Sequence, residues 1–70
     1  MMRTQHKEAG AKLKKLRKER GWLQWEAAEQ LGIPRAYLSV LENGKRGISM
    51  KMMKAILRVY NISFEDFHEE

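Results

Sequence analysis

Cysteine is absent from the 70 residues, so neither a disulfide nor a thiolate zinc site can hold this chain together. Histidine is scarce: His6 and His68 stand near opposite ends, neither with a second imidazole three or four residues away, which leaves helix-borne metal ligation without ligands. No apolar run approaches the roughly 20 residues that cross a bilayer, and the opening MMRTQHKEAG has no hydrophobic signal core. A cytoplasmic protein without a membrane segment is expected. There is no Ser-His-acid grouping and no phosphate-cradling glycine loop, and so short a chain has little room for a buried substrate pocket, so neither an enzyme nor a cofactor or small-molecule site is expected. The length allows one domain, residues 1–70 with a core over about 9–67. Below roughly 70 to 80 residues a single core supplies little stability, and with disulfides and metals excluded, helix packing and dimerisation remain.

What the chain has is positive charge. All 14 Lys and Arg and only five of the nine acidic residues lie in the first sixty positions, a net +9, whereas Glu65, Asp66, Glu69 and Glu70 make the last ten acidic. A basic body attracts polyanions, although composition alone is equally compatible with solubilising surface charge.

Period-two alternation is missing and three-and-four spacing is plentiful, which predicts an all-α chain. From Gln5 to Glu19, Ala9, Leu13 and Leu16 share a face until Gly21 stops the helix. Gln24 to Leu31 places Ala27, Ala28 and Leu31 on one stripe, with Gly32 as the stop. Pro34, the only proline, opens the next helix, which buries Leu38 and Leu41 until Asn43-Gly44 breaks it. Ser49 is the expected N-cap of a fourth helix with the stripe Met50, Met53, Ile56, Leu57 and Tyr60. Ser63 and Asp66 resemble a capping box opening a fifth, carrying Phe64 and Phe67.

The informative stretch is QWEAAEQLGIPRAYLSVLENG, residues 24 to 44. A two-turn helix, a glycine turn and a second helix are what two helices crossing steeply require, with Ala28 small enough to admit the second and Gly32 free of the penalty a Cβ brings at positive φ. That order of small, glycine and branched residues is the sequence form of a helix-turn-helix.

The chain resembles the Cro/C1-type (Xre-like) helix-turn-helix transcriptional regulators from about Ala9 to Phe67, through Gly10, Leu13, Leu16, Arg17, Gly21, Gln24, Ala28, Leu31, Gly32, Ile33, Leu38, Leu41, Glu42, Gly44 and Ser49. The resemblance implies a lambda-repressor-like five-helix domain in which helix 3 enters the DNA major groove. Carried over by position, Arg35, Ala36, Ser39 and Val40 would face bases, and Tyr37 would stand where bases meet backbone. A guanidinium such as that of Arg35 can take guanine O6 and N7 together. Gln24, Asn43, Lys45 and Arg46 would hold phosphates, with Gly44 and Gly47 bringing loop amides close. Arg17 and Glu42 would form an ion pair inside the fold.

Three positions depart from the family pattern. Leu23 cannot accept a hydrogen bond where a Thr or Ser cap is usual, and Pro34 replaces a small polar cap, so the recognition helix is expected to begin one residue earlier. Trp25 falls on an ordinarily polar surface position, where it is simply a partly buried surface aromatic, packs beside a phosphate strand, covers Leu23 or meets a protein; Trp22, just before helix 2, reads as core. The resemblance implies a repressor that binds a palindromic operator on double-stranded DNA as a homodimer. Val59, Tyr60, Ile62, Phe64 and Phe67 are either its interface or intramolecular core. A DNA-binding antitoxin and a protein-interaction module on the same fold are the alternatives.

Overall fold

A computed structural model of the protein describes the backbone of residues 2–68 and the side chains of residues 6–68; Glu69 and Glu70 of the acidic tail lie outside the described residues. It contains α1 (Met2–Glu19), α2 (Gln24–Leu31), α3 (Arg35–Glu42), α4 (Met50–Tyr60) and α5 (Phe64–His68). The all-α, five-helix expectation holds.

The helix ends follow from local chemistry. α2 closes on Gly32, whose φ of 73° lets the Ile33 amide donate to the Ala28 carbonyl at 3.0 Å. This left-handed ending satisfies carbonyls that the helix itself leaves open. Asn61, at φ 55°, does the same for α4, with the Ile62 amide on the Leu57 carbonyl at 3.1 Å. Ser49 caps α4 through Met52 N–H at 3.1 Å, and Ser63 caps α5 through Asp66 N–H at 3.0 Å. Leu23 caps α2 without a side-chain acceptor, but the Glu26 carboxylate accepts from the Leu23 amide at 2.7 Å, half of a reciprocal cap.

Pro34 behaves differently from its expected role. Its ψ of 147° is extended, so it is the residue before the helix, its carbonyl accepting from Leu38 N–H at 3.2 Å, and α3 begins at Arg35. α1 begins earlier than its apolar pattern shows, because no glycine or proline ahead of Gln5 stops it. In α4 the expected stripe holds at Met53, Ile56 and Tyr60, with Leu57 partly buried, but not at Met50, which is 67% exposed while Met52 lies in the core. Met50 is the first residue of the helix, and Met52, Met53, Ile56 and Tyr60 are its buried residues.

Leu13, Leu38, Leu41 and Ile56 are fully enclosed, each burial contributing about 1.5–3 kcal/mol. α3 packs against both α1 and α2, α2 against α4, and α1 against α5, so the helix carrying Arg35 is clamped along its inner side. Trp22 closes one end, half-buried against Tyr60 with ring centroids 5.6 Å apart and the Arg20 guanidinium lying over both rings.

Candidate nucleic-acid interface

α3 has two chemically distinct sides. Leu38, Leu41 and Glu42 are buried, while Arg35 and Ala36 are exposed and Ser39 and Val40 half-buried. The spacing 35, 36, 39, 40 is one outward helical face, so a single rigid rod presents these four together. Tyr37 stands at the edge, half-buried, lining with Leu31, Ile33, Met52 and Ala55 a shallow groove of about 300 Å³ beside the turn. Asn43, just past the helix, is exposed and its amide donates to the Ser39 hydroxyl at 3.4 Å.

Behind this face lies a buried polar network. The Glu42 carboxylate accepts from Arg17 Nε at 2.8 Å and Arg17 Nη2 at 3.1 Å, a two-bond fork that joins the end of α3 to α1. Arg17 Nη1 donates to the Trp22 carbonyl at 2.9 Å, which ties the α1–α2 connection to the same guanidinium. Gln24, half-buried at the start of α2, donates its amide to Glu42 Oε1 at 3.1 Å. Glu42 is therefore an enclosed anion with three donors, the condition under which a buried carboxylate is tolerated.

The loop after α3 carries Lys45 and Arg46, both exposed, between Gly44 and Gly47. A Cβ on Gly44 would lie 2.6 Å from the Cα of Lys7, and one on Gly47 would lie 2.8 Å from Cε1 of His6. The glycines thus admit the early turns of α1 against the loop, a reason for them beyond the approach of loop amides to phosphate. Lys7 and His6 are exposed there, and sequence spacing gave no sign of them because they stand about forty residues from the loop they touch.

Charge is arranged to match. From Gln30 to Phe64 the only acidic residue is Glu42, and it is buried and paired. No exposed carboxylate from that stretch opposes Arg35, Lys45 and Arg46.

A helix-turn-helix family model matches residues 13–67. The chain belongs to the Cro/C1-type helix-turn-helix family. The control protein C.MunI of a Mycoplasma species is 39% identical over 62 residues, covering 87% of this chain and 84% of that protein. The crystal structure of the clp gene regulator ClgR from C. glutamicum superimposes with a TM-score of 0.81 at 27% identity, covering 96% of this chain and 83% of that one. This Cro/C1-type protein is a DNA-binding transcriptional regulator built on the lambda-repressor-like helical fold.

In this regulator the C-terminal candidates separate. Tyr60 and Phe67 are core residues, each 3% exposed, so they are not available to a partner. Val59 and Ile62 pack partly on that core, and Phe64 is exposed with its ring 4.2 Å from that of His68. Leu23 and Trp25 are also exposed, at 60% and 54%, at the start of α2; Trp22 is half-buried on the core.

Proposed function

We propose that this regulator is a repressor that binds a palindromic operator as a homodimer, with no catalytic step. The observation that carries the reading is the outward face of α3, exposed at Arg35 and Ala36, half-buried at Ser39 and Val40 and free of exposed carboxylates, braced from behind by α1 and α2. Arg35 reads a base pair, with Ala36, Ser39 and Val40 lining the same groove. Gln24, Tyr37, Asn43, Lys45 and Arg46 meet the sugar-phosphate backbone, which fixes register without carrying sequence information.

Geometry supports the dimer. An eight-residue helix is about 12 Å long and reads a few base pairs, and the described chain is 31 Å in its longest dimension. Half-sites in such systems recur about 34–36 Å apart, so one subunit does not reach both. Phe64, with the partly buried Val59 and Ile62, supplies the interface. Occupying the operator excludes competing proteins, which is all that repression requires. The name of the relative C.MunI, a control protein, is in keeping with such a role. No helix among the described residues is long and apolar enough to cross a membrane, in keeping with action in the cytoplasm.

Selection of bound duplexes from a random library tests the reading. The expected product is a symmetric site whose half-sites lie one helical turn apart; enrichment of an asymmetric site, or of nothing, overturns it.

A further inference from the structure

We infer that Glu42, fixed by Arg17, is a positioning residue that presets the Gln24 side chain for its phosphate contact; the inference rests on the reading above that Gln24 meets the DNA backbone. A carboxylate accepts and never donates, so at 3.1 Å from Glu42 Oε1 the nitrogen end of the Gln24 amide is the end that faces it. The amide nitrogen carries two protons and Glu42 takes one. The second is left for another acceptor, and the oxygen end is turned away. Glu42 cannot itself wander, since its other bonds run to a guanidinium held in turn by the Trp22 carbonyl at 2.9 Å. Three elements therefore converge on one half-buried glutamine: α1 through Arg17, the end of the recognition helix through Glu42, and the first residue of α2 itself.

This arrangement changes what binding costs. A free glutamine side chain loses rotamer freedom when it meets a phosphate, and ordering a side chain at an interface weakens association. Here that ordering is already present in the unbound protein. It also links the backbone contact to the recognition helix: because Glu42 is the last residue of α3, the phosphate donor and the base-reading face move as one body.

The test combines two approaches. In the free native protein, nitrogen relaxation of the Gln24 side-chain amide should give an order parameter near the rigid-backbone value of about 0.85; a value below about 0.6 overturns the inference. Separately, Gln24→Ala should weaken binding to every duplex about tenfold with the salt dependence unchanged, because a neutral donor displaces no counterion. Replacing the pair by apolar residues of similar volume, Arg17→Met with Glu42→Leu, is expected to leave the chain folded. It should weaken binding to a similar extent, and adding Gln24→Ala to it should cost nothing further. Native affinity in the pair-replaced protein, or losses that add in the triple variant, overturn the inference. Native affinity in Gln24→Ala instead removes the phosphate contact, and the positioning role with it.

Discussion

A Cβ on Gly10 would stand 2.4 Å from the carbonyl oxygen of Leu41 and 2.7 Å from that of Glu42. α1 and α3 therefore cross in backbone contact at this point, and the last turn of the recognition helix rests directly on α1. Because the obstacle is main chain on both sides, no side chain can swing aside. Gly10→Ala would ordinarily add about 1 kcal/mol of helix propensity. Overpacking costs about 1–3 kcal/mol or more and wins here. With main chain as the obstacle on both sides the overpacking cost falls at its upper end, about 3 kcal/mol, so urea unfolding should show Gly10→Ala less stable by about 2 kcal/mol, where Ala11→Gly at the exposed neighbouring position loses only about 1 kcal/mol. A stability equal to that of the native chain would mean the helices separate at no cost.

Arg35 and the pair Lys45, Arg46 should fail in different ways. Arg35 leads the outward face of α3, so Arg35→Ala is expected to relax preference at one base pair in each half-site by about 1–3 kcal/mol. Lys45 and Arg46 lie in an exposed loop off the helix, and replacing both by Ala should weaken binding to all sequences alike. It should also flatten the slope of log affinity against log salt by about 0.9 for each phosphate that the variant no longer neutralises. Titrations of matched and mismatched duplexes at several salt concentrations separate the two; a uniform loss for Arg35→Ala would reassign that residue to the backbone.

The C-terminal aromatics give a second contrast. Phe67 is buried and Phe64 half exposed, three residues apart on one short helix. Phe67→Ala should cost about 3–5 kcal/mol of folding stability whatever the oligomeric state. Phe64→Asp should leave the fold intact and shift sedimentation towards monomer, with a matching loss of cooperative operator binding. A folded Phe64→Asp protein that sediments as the native dimer would place the interface elsewhere.

How much of this was legible beforehand depended on whether the cause was local. Gly32, Ser49 and Ser63 announce helix ends because turn and cap chemistry acts within four residues, and α2 occupies the span Gln24–Leu31 that its stripe predicts. Pro34 misled because a proline suits both the first helical turn and the cap before it, and the choice depends on ψ, which the ring does not fix. Met50 and Met52 could not be ranked, since α4 is apolar around most of its girth and only its neighbours decide which side is inside. Tyr60 and Phe67 could be core or interface from the sequence, for the same reason. The hydrogen bond from Gln24 to Glu42 spans 18 residues and leaves no trace in any local pattern.

Tyr60 provides a prediction about pH. Its hydroxyl is buried and has no hydrogen-bond partner among the described residues. Burial raises its pKa above the ordinary phenol value of 10.0; the nearby Glu42 carboxylate raises it further, and Arg17 and Arg20 pull it back in part. The fold thus favours the neutral phenol. In the unfolded chain Tyr60 begins to ionise near pH 10, and in the native chain only at higher pH, so its contribution is complete below that point and is lost as pH climbs through the native value. Tyr60→Phe has no group to ionise and should lose less stability than the native protein between neutral pH and alkaline pH. At neutral pH the change removes an unpartnered hydroxyl while keeping the ring against Trp22, so stability should be equal or up to about 1 kcal/mol higher. Urea unfolding at pH 7 and above pH 10 makes the comparison. Parallel losses in the two proteins would assign the alkaline decline to other groups, and a clear loss for Tyr60→Phe at pH 7 would show that the hydroxyl has a partner after all.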